Sequence, residues 1–295
     1  MYINSNHMAN NVANTLTSHY GNLRTSTQRL STGLRVNSAA DDAAGLAIRE
    51  LMRTDIAALQ QGVRNANDAI SLIQTADGAL AVIDEKLTRM KELAEQAATG
   101  TYDSTQRLMI ESEYQAMASE ITRIANATDF NGIHLLNGNL SSDTHDGSGL
   151  VSTGKLKVHF GSMNDSAEDY YYIQIGTSTA SALGVGNEAA AGAMAYTVST
   201  QQAAQSALVG LNEAVISKDK IRAHLGALQN RLENTISNLT TQAENLQAAE
   251  SRISDVDVAT EMTRFVRNQI LTQSAVAMLS QANSLPQMAM QLIGR

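Results

Sequence analysis

Apolar positions along this chain fall into helical seams near both ends, with a change of pattern between them. From Leu16, apolar or small residues recur at Tyr20, Leu23, Thr27, Leu30 and Leu34 in steps of four and three. Gly33 and the segment 37–42 interrupt that rhythm, and Ser38 or Asp41 is placed to cap a new helix near Asp42. A second seam follows: Ala66, Ala69, Ile73, Ala76, Leu80, Ile83, Leu87, Met90, Ala94 and Ala97 alternate steps of three and four without a fault. Heptads of this kind bury one stripe against partner helices. A helix from Ala43 to Thr99 would run roughly 80 Å at about 1.5 Å per residue, a length that demands partners. Gly100 to Thr105 reads as a turn. Gln106 to Ala127 then returns as a helix with Ile110, Tyr114, Met117, Ile121 and Ile124 on one face.

The pattern changes at Asp129. A short apolar run sits between two Asn-Gly pairs, which favour tight turns with positive φ. Lys155 to Phe160 and Tyr170 to Ile175 alternate as strands of a hairpin joined by Gly161 to Asp169. Gly176 to Ala195, rich in Gly, Ala and Ser, reads as a linker or small cap. Helical rhythm returns from Thr200 to Ile253 through Leu211, Val215, Ile221, Leu225, Leu228, Leu232, Ile236 and Leu239. A last amphipathic stretch runs from Asp257 to Leu285, where Pro286 is expected to break or kink it. The predicted fold is mainly α: a long antiparallel coiled-coil rod with a small β-hairpin region and the two termini side by side. Its expected parts are 1–42 and 255–295 as a terminal domain, 43–176 and 201–254 as a rod domain, and 177–200 as a short linker.

Composition supports thin packing over a thick core. Among 295 residues there are no Cys, no Trp, three Phe and one Pro, and aromatic side chains are those that bury the most area. Lack of Cys excludes disulfides and thiolate metal sites. A net charge of −8 is no footprint for nucleic acid. No run of about 20 apolar residues is present to span a membrane. Met1 to Tyr20 has neither the basic start nor the apolar core of a secretory signal, so ordinary signal-peptide export is not expected.

Catalytic chemistry is equally scarce. Asp41 and Asp42 are adjacent, about 100° apart on a helix, and read as N-terminal carboxylates favoured by the helix dipole. His7, His19, His134, His145, His159 and His224 form no zinc spacing, and the glycines complete no phosphate-binding loop. No enzyme activity, metal or cofactor is expected. Ser141, Ser142, Thr144 and Ser178 read as exposed hydroxyls open to sugar attachment.

Several blocks resemble the bacterial flagellin family. STGLRVNSAADDAAGLAI (Ser31 to Ile48) looks like the junction between its terminal and rod domains, and NANDAISLIQTADGAL (Asn65 to Leu80) and TDFNGIHLLNG (Thr128 to Gly138) are similar to two more of its blocks. LGALQNRLENTISNL (Leu225 to Leu239), AESRISDVDVATEM (Ala249 to Met262) and ILTQSAVAMLSQANSLPQMAMQLIGR (Ile270 to Arg295) match near the C-terminus. The resemblance covers about 1–176 and 203–295. It implies a short flagellin without large outer variable domains.

A secreted subunit of the extracellular flagellar filament follows from that resemblance: a helical homopolymer for motility, with itself as main partner. Export unfolded through a type III apparatus is implied, with an export chaperone on Asp257 to Arg295, assembly under the filament cap, and contact with hook–filament junction proteins. Filament-core packing is assigned to Leu16, Leu23, Leu30, Leu34, Met262, Phe265, Val266, Ile270, Val276 and Leu279. TRMKELAEQA (Thr88 to Ala97) resembles the family's epitope for the host's Toll-like receptor 5, which places Arg89, Glu92, Leu93 and Glu113 at the receptor contact of a free monomer. A junction protein shares the terminal logic, but the DDAAG and NAND blocks and the LPQ-containing C-terminus favour the filament subunit. A signalling coiled coil would need a membrane span, and an enzyme would have to reside in 138–200.

Overall fold

The computed structural model describes residues 6–148, 153–166, 168–189 and 193–293. The first five residues of Met1–Tyr20, positions 190–192 and the closing Gly294-Arg295 lie outside the described residues. In chain order the elements are α1 (His7–Thr32), α2 (Ala43–Ala98), α3 (Ser104–Ala127), β1 (Asp129–Phe130), β2 (Ile133–His134), β3 (His145–Asp146), β4 (Thr153–Gly154), β5 (Leu156–His159), β6 (Tyr170–Ile173), α4 (Ala180–Leu183), α5 (Gln201–Ser254) and α6 (Val258–Ile293). The fold is mainly α with short antiparallel strand pairs, as the periodicity predicts. Contacts group the chain into two units, 1–56 with 244–295, and 57–243. The division falls inside α2 and α5.

In the 57–243 unit, all ten seam positions of α2 from Ala66 to Ala97 are buried. The buried face of α3 is Ile110, Tyr114, Ala118, Ile121 and Ala125. Met117 and Ile124, expected on that face, are partly buried at its flank, because alanine is small enough to let the helices close there. α5 contributes Ala204, Ala207, Leu211, Ala214, Leu225, Leu228 and Leu232. One polar side chain lies in the same stripe: Lys218 is 2% exposed, with Nζ 2.5 Å from Asp84 Oδ1 and 2.8 Å from Asp219 Oδ1. Burial works against its charge, but the Asp219 and Asp84 carboxylates outweigh that and hold its pKa above the ordinary lysine value.

Strands β5 and β6 form the expected hairpin, from Leu156 opposite Ile173 to His159 opposite Tyr170. The hairpin reaches α2 at Gly62, where any Cβ would lie 2.0 Å from the Phe160 carbonyl oxygen. Asn65 Nδ2 donates to His159 O at 2.8 Å beside that contact. At the first Asn-Gly pair, Asn131 and Gly132 have φ of 52° and 81°, as a primed hairpin turn requires.

The 177–200 segment is packed rather than a spacer. Ser178, Ala180, Leu183, Val185, Ala195 and Val198 are buried. Polar side chains of α3 hold its backbone: Tyr114 OH donates to Ala195 O at 2.7 Å, Gln115 Nε2 to Tyr196 O at 2.9 Å, and Glu111 Oε2 accepts from Val198 N at 2.6 Å. Small side chains permit this close approach, so the composition that suggests a linker suits a docked segment equally well. Ser178, with no exposed surface, is closed to sugar attachment.

In the other unit, α1 and α6 pack along each other, and the break after α1 is laced to the break before α6. Arg35 N donates to Ser254 O at 2.7 Å, Val256 N to Gly33 O at 3.0 Å, and Arg35 Nη2 to Ile253 O at 2.7 Å. Asp42 caps α2, its Oδ1 accepting from Gly45 N at 2.9 Å. Asp41, one of the expected caps, closes the preceding turn instead: its Oδ2 accepts from the Ser38 and Asn37 amides and from Ser38 Oγ. Those bonds, Ser38's first, hold the Asp41 carboxyl below its ordinary pKa.

Helix α6 does not end at Pro286 but runs through to Ile293. A proline lacks the N–H that would bond the carbonyl four residues earlier, here Ala282. That carbonyl is served from the other terminus: Asn6 Nδ2 donates to Ala282 O at 2.8 Å, while Asn6 Oδ1 caps α1 through Ala9 N at 3.1 Å. Asn6→Ala removes both bonds and should lower the protection of the first turn of α1 by about 1–2 kcal/mol in hydrogen exchange. In a Pro286→Ala background, where Ala282 regains an intrahelical donor, the loss should shrink to the capping part. Equal losses in both backgrounds would remove Asn6 as the partner of that carbonyl.

Candidate assembly surface

The pairing of α1 with α6 is built unlike the core of the 57–243 unit. The α6 positions turned inward are Glu261, Phe265, Asn268, Thr272, Ala275, Leu279 and Ala282, again in steps of four and three. Two polar members are nearly closed off from solvent, Glu261 at 3% and Thr272 at 7% exposure. Glu261 is partnered by Arg264 at 3.5 Å. From α1, Leu16, His19, Leu23, Ser26 and Leu30 face this row, with Ser26 buried and the others half-buried. Leu34 lies past the end of α1 in an antiparallel bridge with Asp255.

Apolar side chains point the other way. On α6, Val258, Met262, Val266 and Ile270 are 57%, 45%, 44% and 57% exposed, and Leu271, Val276, Met278 and Met288 are also exposed. Tyr20 and Met8 are exposed on α1. A helix with apolar residues around its whole circumference is one meant to be buried on more than one side. Covering each of these half-exposed side chains would contribute on the order of 1 kcal/mol, at about 25 cal/mol per Å² of apolar surface. The ten residues assigned to filament-core packing thus divide. Leu16, Leu23, Leu30, Leu34, Phe265 and Leu279 are half-buried, whereas Met262, Val266, Ile270 and Val276 are exposed.

At the sequence-derived receptor contact, Arg89 bridges two helices. Its Nη2 and Nε lie 2.8 and 3.0 Å from Glu113 Oε1 on α3, and its Nη1 lies 2.9 Å from Glu92 Oε2. Hydrogen bonds to Glu113 and then Glu92 raise the Arg89 pKa. All three side chains stand in solvent. Leu93 does not join them: it is 1% exposed and packs in the α2 seam between Met90 and Ala94. Four helical residues turn through about 400°, so an i, i+4 pair is offset by about 40°, enough to put Arg89 at the rim and Leu93 inside.

Three groups escaped the sequence reading. Asn6 and the α3 side chains that hold 177–200 bond to main-chain atoms, which carry no sequence signal. Lys218 did have one, since it continues the α5 heptad between Ala214 and Ile221.

Among the described residues there is no group of acidic or His side chains able to hold a metal ion, and no helix long and apolar enough to cross a membrane. Apolar faces left uncovered on paired terminal helices, with no catalytic cluster beside them among the described residues, fit the class of helical structural proteins. Residues 3–141 match the family model of the bacterial flagellin N-terminal helical region, and residues 208–293 that of the bacterial flagellin C-terminal helical region. The chain is 41% identical to the flagellar filament 33 kDa core protein of Treponema phagedenis, across 99% of this chain and 100% of that one. It is also 41% identical to the flagellin of Bacillus subtilis strain 168, with coverage of 99% and 100%. A crystal structure of Bacillus cereus flagellin aligns at TM-score 0.45 and 28% identity, over 63% of this chain and 94% of that one. The chain belongs to the bacterial flagellin family, whose members are structural proteins of the flagellum and not enzymes. End-to-end alignment with two relatives fits a short flagellin without a large variable domain.

The split between rim and seam at the Arg89 site gives a stability test. Leu93→Ala should destabilise the chain by about 2–5 kcal/mol, as for other truncations in a closed core. Arg89→Ala should leave the thermal midpoint unchanged, because exposed ion pairs contribute little. Equal midpoints for the two variants would show that Leu93 is not a core residue.

Proposed function

We propose that this chain is a filament-forming flagellin that completes the burial of its terminal helices only by polymerising. The observation that carries this reading is the outward apolar row of α6, exposed while Glu261 and Thr272 of the same helix are buried. Neighbouring copies that cover α6 would remove from water a surface that α1 alone leaves open. Near-complete alignment with a filament core protein at 41% identity supports the filament subunit over a junction protein. Export unfolded, a chaperone on Asp257 to Arg295, assembly under a cap beyond hook–filament junction proteins, and an extracellular filament follow as parts of the same reading. Holding 257–295 in the cytoplasm would keep this surface covered before export.

Val266→Asp combined with Ile270→Asp should preserve the monomer's helical content yet abolish seeded filament growth in electron micrographs. Removal of 257–295 should likewise abolish growth and leave the 57–243 unit folded. Growth at the parent's rate in either variant would overturn the role assigned to α6.

Recognition of the free monomer by the host's Toll-like receptor 5 is proposed to rest on Arg89, Glu92 and Glu113, with Leu93 acting only by supporting the helix beneath them. Lys91 and Glu95, on the same stretch of α2, are substitutions expected to weaken that recognition. Arg89→Ala and Glu113→Ala should each lower receptor activation in reporter cells without altering helicity. Activation equal to the parent's would eliminate this contact.

A further inference from the structure

Helices α2 and α5 face a pairing problem that their apolar residues do not solve. Both stripes repeat every seven residues with Ala, Leu and Ile, and they belong to parts of the chain more than 100 residues apart. Sliding one helix along the other by a heptad would again place small and branched apolar residues opposite one another. A single polar residue at a core position of a coiled coil is the known physical remedy, because it is satisfied in one alignment only.

We propose that Lys218 sets the register of α2 against α5, and that Arg222, Asp77 and Asp84 complete the lock. Lys218 occupies the seam between Ala214 and Ile221 and is 2% exposed, its ammonium bound to Asp84 on α2 and Asp219 on its own helix. One turn on, Arg222 Nε and Nη2 lie 2.7 and 3.2 Å from the Asp77 carboxylate. Asp77 and Asp84 are one heptad apart on α2, and the next heptad position is Lys91.

A slip in one direction sets Lys218 across from Lys91, a like charge on the half-exposed flank of the seam. The opposite slip returns Lys218 to Asp77 but moves Arg222 onto Ile70. Only the observed alignment pairs both cations with both carboxylates. The first slip takes Asp84 away and leaves the buried ammonium with Asp219 of its own helix alone, and losing one partner of a buried charge is disfavoured, so the lock discriminates against registers that the apolar stripe tolerates. This role concerns pairing within one chain and stands whether or not the assembly reading holds.

Because the chain has no Cys, introduced pairs can report register directly. Lys91→Cys with Asn212→Cys marks the observed alignment, in which these two side chains meet at 2.8 Å. Lys91→Cys with Gln205→Cys marks the slip toward Asp77, and Ala98→Cys with Asn212→Cys the opposite slip. Each pair is placed in the full chain, refolded from denaturant and treated with a short bifunctional thiol cross-linker that spans the reach of the lost lysine side chain, and closure is read as a mobility shift on gels. In the parent background the first pair should close at least tenfold more than the other two. In Lys218→Met, helical content should persist while slipped pairs rise at least tenfold, and Lys218→Arg should restore the parent pattern. Asp84→Leu supplies an independent arm: with Asp77 the remaining α2 carboxylate of the lock, the Lys91→Cys/Gln205→Cys pair should rise. Exclusive closure of the observed pair in both Lys218→Met and Asp84→Leu would overturn the proposal. Loss of helical content in both would overturn it too, since it requires slipped helices rather than an unfolded chain.

Discussion

A helix that carries apolar side chains on every side needs neighbours on every side, and α6 has α1 along one of them. The inward row of α6 is filled partly by Glu261, Asn268 and Thr272, while valine, methionine and isoleucine face outward. For a lone globular protein this arrangement would be upside down. It is coherent with the assembly role proposed for α6, in which the exposed apolar row supplies the hydrophobic gain of association. Polar residues in the internal row keep the α1–α6 pair in place without using that surface.

The 57–243 unit presents the opposite case. Its α2 seam is closed, and the alanines that make up half of it let three helices, a hairpin and the 177–200 segment meet at short range. Gly62 admits the backbone of Phe160, and α3 holds the 177–200 main chain through side-chain hydrogen bonds rather than a thick apolar contact. Poverty in aromatic residues is therefore no weakness in this unit. Many thin contacts replace a few bulky ones, and each demands close backbone approach.

Much of this was legible in the sequence, for a definable reason. Where burial is confined to one stripe of a helix, the stripe repeats in steps of three and four, and both long helices and the hairpin were readable within a residue or two of their observed ends. Positions near the edge of a stripe were not. Tyr20 and Thr27 fit the α1 rhythm as well as His19 and Ser26 do, and Arg89 differs from Leu93 by about 40° of rotation. Such angles separate solvent from core only once the partner helix is placed. The same holds for Pro286, whose helix-breaking tendency is local, while the donor that serves Ala282 lies 276 residues away.

The sequence by itself determined which segments are helices, that their stripes require partners, and that the chain carries the flagellin blocks at both ends. Periodicity and local motif suffice for that, because a helix's buried face is written in consecutive turns. Tertiary structure alone decided which apolar row of α6 is already covered and which remains open, that 177–200 is docked, and that Lys218, on the heptad by its spacing, is paired with Asp84. Those outcomes depend on which residues distant in the chain come within a few ångströms, and no local pattern encodes that.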